Sequence, residues 1–216
     1  MNKIILLSGG LDSVTLLHFL MTCGKGALPT HALIFDYGQR HNKEVALAEY
    51  WASRFRLTYS KIDISFLSEI TKNVSLLSGT KETDDLTKSY VPFRNTIFLS
   101  LAASYAESVG ADTIYYAAHK EDVAGYWDCT RDYVDRLNYL FELNKNISIS
   151  VVTPFRCFTK KEIVSVGLEM DVPFDLTWSC YLGEDNACGK CPACLLRLDA
   201  FRANNIKDPI PYAESD

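Results

Sequence analysis

Short apolar runs rich in β-branched residues alternate along this chain with longer stretches whose apolar positions recur every three or four residues. The runs are Lys3 to Leu7, His31 to Phe35, Thr58 to Ile62, Thr113 to Ala117 and Ile149 to Val152. Between them, Val45, Ala48, Ala52 and Phe55 mark one helical face, and Ile97, Phe98, Leu101, Ala102, Tyr105 and Val109 mark another, with Gly110 placed to stop the second helix. Strands alternating with helices predict an α/β fold with a five-stranded, doubly wound parallel sheet. Right-handed crossovers in such a sheet put ligands beyond the carboxyl ends of the strands, so functional residues are expected to follow strands.

Two stretches break the alternation. Residues 66–90 are dominated by Ser, Thr, Lys, Glu and Asp and read as a mobile insertion between the third strand and the next helix. The last forty residues carry a cysteine cluster and then Asp208-Pro209-Ile210-Pro211-Tyr212, which is expected to be extended. The expected division is an α/β domain over 1–170 and a small C-terminal region over 171–216. A chain of 216 residues can bury a core without a disulfide framework. Its net charge of −5 argues against direct binding to nucleic acid. The opening apolar run, Ile4 to Leu7, is too short for a signal peptide, and no run approaches the roughly 18 residues of a membrane span. The expectation is a soluble, cytoplasmic protein without membrane contact.

Reducing conditions leave thiols free or metal-bound, which makes the placing of seven cysteines informative. Cys23, Cys129 and Cys157 are scattered, whereas Cys180, Cys188, Cys191 and Cys194 follow a Cys-x7-Cys-x2-Cys-x2-Cys spacing. Four thiolates make a closed tetrahedral shell with no open water position, so a Zn²⁺ held there is structural. An iron–sulfur cluster and unliganded thiols are the alternatives.

The loop after the first run, Ser8-Gly9-Gly10-Leu11-Asp12-Ser13, joins a strand to a helix. Two glycines let N–H groups converge on one anion, Ser8 and Ser13 add hydroxyls, and the following helix points its positive end at the same place. This is a phosphate cradle. It lacks the Gly-Lys-Ser/Thr of a Walker loop and the Gly-x-Gly-x-x-Gly of a dinucleotide site. Asp12 would repel phosphate unless Mg²⁺ stood between them, which points to a metal-bridged pyrophosphate. Asp122 and Asp128, beyond the fourth strand, could bind Mg²⁺ or accept the amino and ring N–H groups of a guanine-like base.

Ser-Gly-Gly-x-Asp-Ser after an opening strand resembles the PP-loop of ATP pyrophosphatases, which transfer AMP to a carbonyl or carboxyl oxygen. Further stretches resemble one branch of that group, the 7-cyano-7-deazaguanine synthases of the queuosine pathway. They are Phe35-Asp36-Tyr37-Gly38-Gln39-Arg40-His41, Val91-Pro92-Phe93-Arg94-Asn95-Thr96, His119 through Cys129, and Leu176-Thr177-Trp178-Ser179-Cys180-Tyr181 leading into the cysteines. The resemblance implies an ATP-dependent carbon–nitrogen ligase, a homodimer, that converts 7-carboxy-7-deazaguanine and ammonia to the nitrile through adenylated intermediates.

Ser8 to Ser13, Phe35, Asp36, Tyr37, Gln39, Arg40 and Asn95 would then bind ATP, with Asn95 also a candidate helix cap. Phe93, His119, Asp122, Tyr126, Trp127 and Asp128 would bind the base, and Asp12, Arg94, Lys160 and Glu162 would serve catalysis; Lys160 and Glu162 read equally well as the first turn of an amphipathic helix. Departures from the family pattern gather at Phe93, Ala117, Trp127 and Thr130, near the expected base pocket. A divergent relative that joins the activated base to a protein or small-molecule amine is therefore a second reading, and a non-catalytic nucleotide sensor a third.

Overall fold

The computed structural model describes residues 1–24, 28–39, 43–71, 90–183 and 185–213, with Val123 and Ala124 described by their backbone alone. Arg40 and most of the 66–90 insertion lie outside the described residues. Five strands, β1 (Asn2–Leu6), β2 (His31–Asp36), β3 (Thr58–Asp63), β4 (Ala111–Tyr115) and β5 (Ser150–Val152), form one parallel sheet of order β3-β2-β1-β4-β5. The described helices are α1 (Leu11–Cys23), α2 (Lys43–Arg54), the single turn α3 (Leu67–Ile70), α4 (Arg94–Val109), α5 (Arg131–Phe141), α6 (Lys160–Glu169) and α7 (Pro192–Ala203). Short 3₁₀ turns occupy Lys120–Ala124, Trp127–Cys129 and Phe174–Leu176.

All five expected strands are present. β4 begins two residues before its expected start because Gly110, at φ +66°, closes α4 in the left-handed region and delivers Ala111 straight into the sheet. Successive residues of a strand face opposite sides, and β1 divides accordingly. Ile5 joins Leu17, Val45, Trp51, Phe155, Ile163 and Phe174 in one core, while Ile4 and Leu6 join Leu33, Leu99, Ala102, Ile114 and Leu137 in the other. The two cores are the reason the strands read as continuous apolar runs. Among the described helices none is long and apolar enough to cross a membrane.

A third, small core holds Trp178, Cys180, Ala187, Cys191, Cys194 and Ile210. The Pro-rich end is extended, and Tyr212 bridges in parallel to Ala187. Arg197, 1% exposed, ties this region together: it meets the Asp208 carboxylate through Nε at 2.7 Å and Nη2 at 3.0 Å and donates to Thr177 Oγ1 at 2.8 Å and to the Phe174 carbonyl at 2.9 Å. A buried guanidinium is tolerated because its donors are met by fixed acceptors in bidentate geometry.

The chain runs outward through β1, β2 and β3, then returns to lay β4 on the other side of β1. Strand order therefore reverses between β1 and β4, where a crevice opens at the carboxyl ends in a sheet of this kind. The glycine loop follows β1 and the His119–Cys129 stretch follows β4, so both flank that point.

Candidate active site

The loop after β1 is tightly built. Gly9 sits at φ +77°, and a Cβ there would stand 2.2 Å from the Glu44 carbonyl oxygen on α2, so only glycine lets the helix approach this closely. The Ser13 hydroxyl accepts from the Ser8 N–H at 3.2 Å and lies 3.0 Å from the Ser8 hydroxyl, while Ser8 Oγ accepts from the Gly10 N–H at 3.2 Å. Gly10 is the N-cap residue of α1. The positive end of the helix therefore opens into the turn, as an anion site requires. The Leu11 side chain is core, 1% exposed, so its contribution to a ligand would come from its backbone.

A charged cluster gathers on this loop from three elements. Asp12, in the first turn of α1, receives Lys160 Nζ at 2.7 Å; Lys160 opens α6, which lies beside α1. His119, its side chain 3% exposed, lies after β4 with Nε2 3.7 Å from Asp12 and 3.4 Å from Asp122. Glu121 organises the group: its carboxylate is 3.2 Å from His119 Nδ1 and accepts the Lys160 backbone N–H at 3.1 Å. Burial pushes the Asp12 carboxyl up, but Lys160 and His119 outweigh it and hold the group below its ordinary value. Asp122 goes the other way: burial raises it, Asp12 adds to the rise, and His119 and Lys160 offset only part. Two neighbouring carboxylates thus have opposed proton affinities.

Glu162 has a different task. It accepts from the Thr159 N–H at 2.7 Å and from the Thr159 hydroxyl at 2.8 Å, the reciprocal capping box of α6, and so fixes the helix that carries Lys160. Phe35 and Gln39 are likewise structural in their contacts. Phe35 stacks on Phe98 at 4.3 Å in the core, and Gln39 closes the turn after β2 by accepting from the Tyr37 N–H at 2.8 Å. Asp36 Oδ1 accepts from the Gly38 N–H at 3.4 Å in the same turn.

Beside the loop, Arg94 is ringed by phenols. Its guanidinium stands 5.6 Å from the Tyr37 ring centroid and interacts with Tyr37, Tyr181, Tyr126 and Tyr116. Burial pushes the Tyr37 hydroxyl up to about 12 although Arg94 opposes the shift. Glu44 faces the same guanidinium, and burial raises its carboxyl to about 7 against the pull of Arg94, with Cys180 adding to the rise. Sequence reasoning missed Glu44, Tyr116 and Glu121. Glu44 had a signal, an acidic residue in the first helical turn after a strand end, but that signal is shared by ordinary caps.

Of the six residues expected to bind the base, His119 and Asp128 are buried, Phe93 and Trp127 are exposed, and Asp122 and Tyr126 are half-buried. Asp128, 1% exposed, accepts the Asn95 backbone N–H through Oδ2 at 3.3 Å, while its Oδ1 has no partner; Arg94 Nε is the other buried orphan among the described side chains. Asn95 does not cap α4. The N-cap residue is Phe93, at φ +56°, and Asp128 serves the Asn95 N–H, leaving the Asn95 side chain to reach Cys129 Sγ at 3.4 Å. Phe93 and Trp127, 57% and 45% exposed, meet edge to face at 5.2 Å, and the Trp127 indole N–H donates to the Tyr90 hydroxyl at 2.7 Å. Tyr126 borders the same cluster, 6.2 Å from Tyr90.

The four cysteines predicted to act together do come together. Their sulfurs all lie within 4.8 Å of one another, with Cys188 and Cys194 3.9 Å apart. Cys180 Sγ accepts N–H groups from Gly183 at 3.0 Å and Cys188 at 3.2 Å, and Cys188 Sγ accepts from Cys191 at 3.3 Å. Hydrogen bonds from the Cys191 and Cys194 thiols, reinforced by these backbone donors, hold Cys180 far below the ordinary thiol range. The proximity of the four sulfurs is what a metal site needs.

A glycine turn after the central strand, closed by a helix, set at the reversal of strand order and built from Ser8-Gly9-Gly10-Leu11-Asp12-Ser13, places the fold in the PP-loop class of α/β proteins. Solved structures support the same fold: the NMN synthetase of Francisella tularensis superposes with a TM-score of 0.54 at 15% identity over 95% of this chain and 78% of that one. The U34-tRNA thiolase NcsA of Methanococcus maripaludis, solved with its [4Fe-4S] cluster, gives 0.52 at 13% identity over 80% of this chain, which spans 58% of the thiolase.

Within that class, the chain belongs to the family described as queuosine biosynthesis protein QueC, whose model matches residues 2–205. It is 39% identical over 215 residues to 7-cyano-7-deazaguanine synthase 1 of Colwellia psychrerythraea, covering 97% of both chains. It is 41% identical over 218 residues to the 7-cyano-7-deazaguanine synthase of Archaeoglobus fulgidus, covering 97% of this chain and 90% of the relative.

Proposed function

We propose that the protein is an ATP-dependent ligase that converts 7-carboxy-7-deazaguanine and ammonia into 7-cyano-7-deazaguanine. AMP transfer to the substrate carboxylate, with pyrophosphate leaving, makes a mixed anhydride. Ammonia displaces AMP to give an amide, and AMP transfer from a second ATP to the amide oxygen, with pyrophosphate leaving, lets that oxygen depart with AMP as the nitrogen loses its two protons and the nitrile forms. The observation that carries the reading is the cluster of Asp12, Lys160, His119 and Asp122 on the glycine turn of a chain belonging to this family. No covalent enzyme intermediate is needed, so positioning and charge supply the rate. Asp12, with Asp122 beside it, would hold Mg²⁺, which when bound neutralises pyrophosphate charge. Lys160 orients Asp12 and keeps a cation at the loop, and Arg94 supplies a second cation close by.

Zn²⁺ is the metal that suits the four cysteines. A tetrahedral ion with Zn–S bonds of about 2.3 Å places its sulfurs about 3.8 Å apart, close to the 3.9 Å between Cys188 and Cys194. An iron–sulfur cluster divides its thiolates among several irons and spreads them further. With four protein ligands the ion has no open position and acts on structure. A homodimer in the cytoplasm completes the reading, and light scattering tests the dimer.

The second reading, amide formation with another amine, is favoured by one observation: the exposed Phe93–Trp127 pair beside Arg94 and Asp128. Incubating the protein with ATP, Mg²⁺, ammonia and 7-carboxy-7-deazaguanine, followed by mass spectrometry, separates the two. A nitrile product supports the first; AMP release with the amide as end product supports the second.

A further inference from the structure

The cysteine knot and the glycine turn are joined by a very short piece of chain. The backbone N–H of Trp178, two residues before Cys180, donates to the Gly9 carbonyl at 3.1 Å. The Trp178 carbonyl oxygen lies 3.4 Å from where a Gly10 Cβ would stand. On its other side Gly9 is pressed by α2, where a Cβ would stand 2.9 Å from the Ala48 nitrogen as well as against Glu44. Gly9 is therefore held between α2 and the 177–180 strap, in a left-handed conformation that neither neighbour lets it leave.

The strap is itself fixed at two points on α7. Arg197 grips Thr177 at 2.8 Å and Ser179 at 3.4 Å, and Cys180 meets Cys191, the N-cap residue of α7, and Cys194, in its first turn. The Trp178 indole, 1% exposed, is locked in place by its N–H to the Cys180 carbonyl at 3.0 Å and by the Lys43 ammonium 3.7 Å from its ring centroid.

We propose that the metal held by Cys180, Cys188, Cys191 and Cys194 is a positioning element of the nucleotide site: through Trp178 it holds the Gly9–Gly10 turn in the shape that receives the phosphates of ATP. This rests on the reading of the loop as an ATP site. Metal loss frees Cys180, whose carbonyl holds the Trp178 indole, while Arg197 keeps Thr177 and the longer contact to Ser179, so the turn loosens without collapsing. The effect falls on groups that bind the turn and spares adenosine, which lacks phosphates.

Coupling between two sites is reciprocal: if the metal strengthens ATP binding, ATP strengthens metal binding by the same factor. The test is an equilibrium competition between the full-length, metal-loaded protein and a chromogenic chelator, in excess Mg²⁺, with ATP, with adenosine, or with neither. ATP is expected to raise the apparent metal affinity about tenfold and adenosine less than about twofold. Metal-stripped protein that keeps its far-UV circular dichroism is expected to bind ATP about tenfold more weakly. If stripping unfolds the protein, the competition still decides. Equal protection by ATP and adenosine, or no protection by ATP that demonstrably binds, overturns the positioning role. Failure of ATP to bind the metal-loaded protein overturns the ATP reading itself, and this proposal with it.

Discussion

The site has two halves built on opposite rules. On the glycine turn, Asp12, Lys160, His119, Glu121 and the two serines are paired with one another, so the geometry is set before any ligand arrives. Past Arg94, which borders both halves, Asp128 Oδ1 and the Arg94 Nε are buried without hydrogen-bond partners among the described residues, and the neighbouring rings of Phe93 and Trp127 are exposed. Preorganised charge suits a step common to a whole class of enzymes, whereas orphaned polar atoms and exposed rings belong where a particular partner must complete the contacts. The first half carries the residues that match the superfamily, and the second carries the departures at Phe93 and Trp127. Under the proposed function, adenylation would fall to the turn and the choice of acceptor to the aromatic side.

Substitutions can break that division. The largest effect is expected from Asp12→Ala, which removes the hub that Lys160 and His119 share: AMP formation should fall by at least about 10²–10³-fold with unchanged circular dichroism. Normal AMP release from this variant would remove Asp12 from the proposed chemistry. Next comes Cys191→Ser, which opens the thiolate shell; metal analysis should find less than half the metal of the parent, and thermal unfolding should shift down by several degrees, about 1–3 kcal/mol of stability.

Glu44 tests the boundary between the halves through pH. Its carboxyl is raised in the folded protein to about 7 from an ordinary 4.5, so between those values the folded state holds a proton that the unfolded state has lost. The contribution is fully present below pH 4.5 and is lost as pH rises through 7. Chemical denaturation of Glu44→Gln across this window should show a flatter stability curve than the parent, by on the order of 2 kcal/mol. Parallel curves would mean that Glu44 is not held as the structure describes. The smallest effect on stability is expected from Trp127→Ala, within about 1 kcal/mol because the ring is exposed. That variant should raise KM for the deazaguanine severalfold while leaving KM for ATP unchanged, and equal changes in both would erase the contrast between the halves.

The sequence exposes the first half far better than the second. Strand identity, the glycine turn and the cysteine spacing are local patterns, and each appears in the structure where it was expected. Lys160 was attached to the site by resemblance alone, and its meeting with Asp12 is a product of α6 packing beside α1, which no periodicity encodes. His119, expected at the base with Asp122, faces Asp122 and also reaches Asp12 on the glycine turn, because a residue past a strand end can turn toward either neighbour of that strand. Glu121 and Glu44 gain their roles from the groups packed around them, His119 and Lys160 for the one and Arg94 for the other, and single-residue signals for such partners look like helix caps. Asn95 illustrates the reverse: a residue type favoured at helix caps was displaced from that task by an aspartate thirty-three positions away.

The most direct test of the account counts AMP against product. With saturating ATP, Mg²⁺, ammonia and 7-carboxy-7-deazaguanine, the account predicts two AMP released for every nitrile formed, and an amide that appears and is then consumed. One AMP per product with the amide as the final species, or product without AMP, would contradict it.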